Sequence, residues 1–475
     1  MDKNIKKIFI ISLSLLFFSY PAFSKENNDS KNKKNESKLD KEQEKQFEKD
    51  LNKFLDSFDN LYKYIEEADK EVENKNYDKA IILYNKALEI YPEDGDIAFK
   101  LGKIYYEKKE YDLSIKYLEF SKAIEIKYKR TKIIDPNTLY SLGLAYFHNK
   151  DYEGALTNFL ELLENKEIIE KDPNYDQVFF SIALCYEKKN DLKKAIEYEQ
   201  KVLEINPNNQ EVYINLGKNY IESDNIEKAF EIYNKGLLVN SKNAGIYSAI
   251  ADFYYNSRQY ELALKNLDNY NIYNDPKNKD KNTYFYLAFC YKQLENYDKA
   301  IELFDKHLKE VEPDDFTSFN NLGDIYKYKK EYDKALEYYN KAIKIIPDAY
   351  GTLADIGDIY SEINNSEKAI EYYNKSILAS KYLSDGYLKL GEFYYKKKEY
   401  DKALEIYNRK LILTPSSDFS YYNKAIIYIE TNKVSMALEN LKLAIKENFL
   451  LKNMAKNDIR FQAIKNNNTF LELIK

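Results

Sequence analysis

The stretch "LGDIYKYKKEYDKALEYYNKAIKIIP", Leu322 to Pro347, is nearly written again as "LGEFYYKKKEYDKALEIYNRKLILTP", Leu390 to Pro415. Aligned without gaps, 15 of the 26 positions are identical, and the offset is 390 − 322 = 68 residues. Working outward from the small residue of each "LG" or "IA" pair gives a series of anchors. They fall at Ala68, Gly102, Gly143, Ala183, Gly217, Ala251, Ala288, Gly323, Gly357, Gly391 and Ala425, with steps of 34, 41, 40, 34, 34, 37, 35, 34, 34 and 34. The 68-residue offset is therefore two steps of 34 within 11 copies of one unit.

Three residues after the anchor stands Tyr in ten of the 11 copies, from Tyr105 to Tyr428. Twelve after it stands Ala in ten, with Ser114 the exception, and sixteen after it a large apolar residue such as Tyr84, Phe159, Phe304 or Tyr339. Glu199 breaks that last rule, and Pro92, Pro207, Pro347 and Pro415 close their copies. Such a unit reads as a helix hairpin. Small residues at the anchor and at the later Ala let two helices approach, and aromatics at three- and four-residue spacing fill the seam. The turn, as in "KKEYD", sets an acidic residue at the start of the second helix, where its dipole favours it. Pro then stops that helix. One hairpin cannot bury its apolar faces alone, so the copies must stack.

On these residues the chain resembles the tetratricopeptide repeat family, from about Leu61 to Ala444. The resemblance implies an all-α, right-handed superhelical solenoid of helix-turn-helix repeats. The early Trp of the family is missing, because the chain has no Trp, and Tyr or Phe replaces it in eight copies, including Tyr64, Phe179, Tyr213 and Phe319.

The ends read differently. Residues 1–24 combine Lys3, Lys6 and Lys7 with "IFIISLSLLFFSY" and "PAFS", the pattern of a secretory signal peptide; an uncleaved anchor is the alternative. Residues 25–40 have almost no apolar side chain and read as a disordered, charged linker. A leading helix is expected over 41–60, the solenoid over 61–445, and a helical cap over 446–475, where Phe449, Leu450, Met454, Ile459, Phe461, Ile464, Phe470 and Leu473 recur. The two stretched copies are read as lengthened second helices, with longer loops as the alternative. The 7 extra residues of the first are almost two turns.

Composition excludes more than it assigns. Lys+Arg 73 against Asp+Glu 79 leaves −6, with no basic block after the first ten residues, so nucleic-acid binding has little electrostatic support. The two His, His148 and His307, lie in separate repeats; His307 stands where others carry Ala87, Ala342 or Ala444, and His148 ends a first helix. Cys185 and Cys290 share a position three repeats apart, too far for a disulfide, and are expected as packed thiols. No catalytic triad, metal spacing or Gly-rich phosphate loop occurs, so no enzyme activity and no cofactor are expected.

What remains is a surface. In the family, first helices line a concave groove, and residues three before, one after and four after the anchor tend to face it. Carried over, this implies Phe99, Tyr140, Phe180 and Phe285, then Leu144, Leu184 and Phe289, then Phe147 and Tyr255. Farther along, the set turns polar with Asn215, Lys218, Asn320 and Asn321, and acidic with Asp324, Asp355, Asp358 and Glu392. The family groove that grips a chaperone's terminal carboxylate needs Lys, Asn and Arg across three consecutive copies, and no such set occurs here. The expected function is an exported, periplasmic or secreted scaffold that binds a protein or peptide partner of the cell envelope, with no membrane span after signal cleavage. The alternative is a binder of envelope glycan through the groove aromatics.

Overall fold

The structure, a computed structural model, describes residues 33–129, 134–164, 175–274, 282–380, 382 and 385–475. The signal-like segment 1–24 lies outside them. Among the described residues there is no strand. Two compact units are present, Met1–Lys235 and Gly236–Lys475.

The first unit begins with the hairpins α1 (Lys33–Glu73) with α2 (Tyr77–Ile90), α3 (Gly95–Glu107) with α4 (Tyr111–Lys129), and α5 (Pro136–His148) with α6 (Tyr152–Glu164). They are followed by α7 (Tyr175–Lys188) with α8 (Leu192–Ile205) and α9 (Gln210–Glu222) with α10 (Ile226–Val239), the helix in which the boundary falls. The second contains α11 (Ala244–Asn256) with α12 (Tyr260–Tyr273), α13 (Thr283–Gln293) with α14 (Tyr297–Glu310), and α15 (Phe316–Tyr328) with α16 (Tyr332–Ile345). It continues with α17 (Tyr350–Glu362) and α18 (Ser366–Ala379), α19 (Gly386–Lys396) and α20 (Tyr400–Leu413), and α21 (Asp418–Glu430) and α22 (Val434–Glu447). Odd-numbered helices carry the anchors and even-numbered helices carry the later Ala. The expected all-α stack of hairpins is what the chain forms.

Two boundaries differ from the expectation. Lys33 to Asp40, read as linker, belong to α1, and the leading helix runs without a break into the first repeat. The segment reads "KKNESKLD", with three Lys, one Glu and one Leu, residues that favour helix. Of the two stretched copies, the first does lengthen its second helix: α4 has 19 residues where α2 has 14. In the second, α6 is described to Glu164 and the remaining extra residues lie outside the described ones.

Close approach at the anchor has a direct cause. The side chain 16 residues later lies flat on the anchor, so a Cβ added to Gly323 would stand 2.5 Å from Tyr339 Cδ1, and one on Gly357 2.7 Å from Tyr373 Cδ1. The Ala twelve after the anchor, such as Ala335 and Ala369, is fully buried beside this seat.

Each hairpin then closes in the same way. The residue seven after every anchor, from Lys75 to Asn432, has a φ between 55° and 65°. Around Lys330, for example, the Lys330 N–H donates to Lys327 O (3.0 Å), and the Glu331 N–H donates to Tyr326 O (2.9 Å). This pair of bonds satisfies the last carbonyls of the first helix. The next residues start the second helix with an acid in its first turn, as at Asp78, Asp298, Asp333 and Asp401.

The cap consists of α23 (Leu451–Asn457), a 3-10 turn (Ile459–Ile464) and α24 (Asn468–Leu473). Phe461, Ile464 and Phe470 bury against Tyr422, Ala425 and Leu441 of the last repeat. Tyr422 donates to Asp458 (2.9 Å), which Arg460 also binds (2.6 Å). Cys185 and Cys290 are free and buried, as expected, and burial pushes both thiols up to about 12. His148 is exposed and stacks on Tyr111 at 5.4 Å, whereas His307 is buried with Nε2 3.6 Å from Asp315.

Candidate first-helix surface

In the first unit, Phe99, Tyr140 and Phe147 are half-buried. Phe99 rests on Leu118, Leu142 and Ala145; Tyr140 lies 5.7 Å from Phe159 and Phe147 5.6 Å from Tyr152. Each ring is braced from below by its neighbours and keeps part of its surface open. Phe180 departs from the expectation. It is only 5% exposed and packs with Val202 and Val212, so it belongs to the core. On α9, Asn215 is half-buried and Lys218 is exposed.

In the second unit, Tyr255, Phe285 and Phe289 are half-buried and form one aromatic group. Ring centroids are 5.4 Å apart for Tyr255 and Phe289 and 6.4 Å for Phe285 and Phe289, and Phe285 also meets Phe304 at 5.7 Å. Burial pushes the Tyr255 phenol up to about 12, with Cys290 and Tyr286 adding to the effect.

The stretch expected to be acidic is instead neutralised by lysines. Lys292 on α13 donates to Asn321 (2.7 Å) and Asp324 (2.6 Å) on α15. Lys327 on α15 donates to Asp355 (2.6 Å) and Asp358 (3.2 Å) on α17, and Lys389 on α19 returns to Asp358 (2.7 Å). Residues three apart share a helix face, so one lysine reaches both the position before and the position after the anchor of the next repeat. Thr352 donates to Asn320 (2.7 Å), and Glu392 is exposed and pairs with Lys396 at 3.0 Å. The seats join this ladder from beneath: Tyr339 donates to Asp324 (2.7 Å) and Tyr373 to Asp358 (2.9 Å).

Electrostatics follow the contacts. Burial pushes Asp358 up, but the hydrogen bond and charge of Lys389, with Lys327 and Tyr373, outweigh it and hold the carboxyl below its usual range. Burial pulls Lys327 down, and Asp355 and Asp358 more than offset this, so it stays protonated. Burial raises the Tyr373 phenol, reinforced by Asp358. The first unit has a counterpart: Lys100 binds Asp69 at 2.6 Å, and Tyr84 also donates to Asp69.

Two depressions open on the later part of this surface. One of about 290 Å³ is lined by Lys327, Asp358, Tyr373, Lys389, Glu392 and Lys396 among others. A second, about 550 Å³, shares Lys389, Glu392 and Lys396 and adds Tyr395, Phe419 and Arg460. Cations and carboxylates alternate around both, and no group of three or more His, Cys, Asp or Glu among the described residues could hold a metal ion. Among the described residues no helix is long and apolar enough to cross a membrane.

Sequence reading did not pair these lysines with the acids of the neighbouring repeats. Lys292, Lys327 and Lys389 lie 32, 31 and 31 residues from their carboxylate partners, close to one repeat. Comparing each acidic groove position with the neighbouring repeats, rather than with its own, would have found them.

The arrangement defines a class: an all-helical array of hairpins whose first helices, within each unit, present a braced surface. Sequence models described as tetratricopeptide repeat match residues 65–120, 135–208, 188–253, 281–348, 314–377 and 355–418. The chain belongs to the tetratricopeptide repeat family. Response regulator aspartate phosphatase E of Bacillus subtilis (strain 168) is 29% identical over 136 residues, which is 27% of this chain. The match spans 36% of that relative's length. Among solved structures, MamA is 23% identical over 39% of this chain and 94% of its own, with a TM-score of 0.34. YrrB, described as a tetratricopeptide repeat protein with an unusual peptide-binding site, is 20% identical over 38% of this chain and 92% of its own, at 0.34. The hetero-tetramer Cut9–Hcn1 matches 86% of this chain and 95% of its own at 15% identity and 0.38.

Proposed function

We propose that the protein is a non-enzymatic scaffold of the cell envelope that holds a partner protein or peptide along its first-helix surface. The observation that carries this reading is the set of half-buried aromatics on the first helices, Phe99, Tyr140, Phe147, Tyr255, Phe285 and Phe289. Rings fixed by neighbouring rings lose little freedom on binding, and partly open aromatics beside a polar rim are what protein interfaces use as anchors. The lysine–carboxylate ladder adds polar groups already held in place, so a partner would meet a surface with little net charge. Placement outside the cytoplasm rests on the basic, apolar and small-residue order of residues 1–24.

Affinity capture from envelope extract tests both parts. The Phe147→Ser/Phe289→Ser variant is expected to retain its helix content by circular dichroism and to bind the captured partner at least about tenfold more weakly. Unchanged capture by the folded variant removes the surface from the proposal. Recovery of the native protein in the cytoplasmic fraction removes the envelope, and binding to cell-wall material stripped of protein points to a glycan in place of a protein.

A further inference from the structure

The position 21 residues after the anchor, at the end of each second helix, belongs to neither the first-helix surface nor the hairpin seam. In the first unit it is Glu89, Ala123, Glu164 and Glu204, all exposed. In the second unit the same register changes character. Four copies carry an aliphatic side chain that stands almost free in solvent: Leu238 (87% exposed), Ile272 (69%), Leu378 (84%) and Ile412 (79%). The other three carry exposed lysines, Lys309, Lys344 and Lys446. No acid occupies the row from residue 236 onward.

Two further observations set this row apart. Among the residues whose exposure is described, the only other large apolar side chains at least two-thirds exposed are Phe449, Leu450 and Ile459, all in the cap that continues the second unit. The three lysines have no ion pair among the described residues, whereas Lys341, one turn before Lys344, binds Glu337 at 2.6 Å. The row therefore combines lysines held in no ion pair with exposed aliphatic tips, although Glu310 and Glu447 stand beside two of the lysines, and none of its residues lines either depression of the first-helix surface.

We infer that the second-helix edge of residues 236–475 docks on an anionic lipid surface. Stacked helices lie about 8–10 Å apart, so the row offers one tip or one ammonium group per repeat along a bilayer. Aliphatic tips enter the boundary between headgroups and acyl chains, and lysines reach the headgroup charge on flexible stems. A protein partner would need a separate pocket for each projecting tip at repeat spacing, whereas a fluid bilayer needs none. In the first unit the same register carries Glu89, Glu164 and Glu204, whose charge an anionic surface repels.

Co-sedimentation of the full chain with phosphatidylcholine vesicles, with or without phosphatidylglycerol, tests this. Residues 1–24 are present in every sample, so the differences between vesicles and between variants read the edge. Binding is expected to rise with phosphatidylglycerol and to weaken with salt. Each lysine contributes roughly fivefold, so Lys309→Glu/Lys344→Glu/Lys446→Glu should cost roughly 100-fold or more on anionic vesicles. Leu378→Ser/Ile412→Ser should cost about tenfold, since these side chains would be only partly inserted. All five sites are exposed, so the variants should fold, which circular dichroism checks. Equal binding to both vesicle types, or unchanged binding of the lysine variant, overturns the inference. A wild-type dimer in light scattering that the lysine variant abolishes, without a lipid effect, assigns the edge to a second copy and overturns it equally.

Discussion

Repeats four and nine put different side chains on the same seat. In repeat nine, Tyr373 lies on Gly357 with 2% exposure, and its hydroxyl passes out to Asp358. In repeat four the seat holds Glu199, 1% exposed, whose two oxygens each accept from Asn219 Nδ2 at 3.0 Å. Burial pushes the Glu199 carboxyl up to about 8; Asn219 opposes this, and Glu187 adds to it. An aromatic seat buries an apolar ring and delivers a polar group to the surface. A carboxylate seat buries a group that resists ionising, so the packing of one repeat becomes dependent on pH. The contrast shows that the seat requires bulk, and that its polar tip decides what the repeat adds to the surface.

Breaking the contrast at Glu199 should give the largest effect. Its folded value of about 8 lies above the ordinary 4.5, so its stabilising contribution is complete below about pH 4.5 and is lost as pH rises through about 8. A difference of that size corresponds to about 4–5 kcal/mol. Native-state hydrogen exchange across α7 to α9 should show protection falling between pH 5 and pH 9 in the native chain. Glu199→Gln should flatten that pH dependence, and a slope that persists in the variant would assign it to another group.

At the aromatic seat, Tyr373→Ala should cost about 3–5 kcal/mol through the lost ring and the space it leaves. Tyr373→Phe should cost only about 1–2 kcal/mol, because it removes the hydroxyl that Asp358 accepts. Urea unfolding followed by exchange in α17 and α18 separates the two, and equal losses would mean that the hydrogen bond carries the seat. The smallest effect belongs to the ladder. Lys327→Met leaves Asp355 and Asp358 with one cation fewer, but Lys327 is about a third exposed and solvent screens the loss to about 1 kcal/mol. The same denaturation series should show it, with the difference shrinking in high salt.

The fold was legible because its code is local and repeated. Gly323, Tyr326, Ala335 and Tyr339 recur at fixed offsets, and the structure uses each at that offset for packing. The candidate surface was legible only in part. Family position identified Phe99, Tyr140 and Phe289 as surface aromatics, but could not tell Phe180 from them, because its burial depends on Val202 and Val212 in later helices. The acidic series was read one repeat at a time, which hid the lysines of adjoining repeats. The left-handed residue of each turn was invisible for another reason: none is Gly, so composition carries no sign of it.

That turn residue has a mechanical consequence. Lys75, Lys150, Arg258, Glu295 and Asn432, like the six others at this offset, hold a conformation that costs an L side chain roughly 1–2 kcal/mol. Glycine would adopt it freely but would leave the joint loose in every other respect. With a side chain at each bend, each unit is a row of stiff hinges of like geometry, already under slight load. Pulled lengthwise, such a row should give way hinge by hinge, yielding slack in lengths of one repeat.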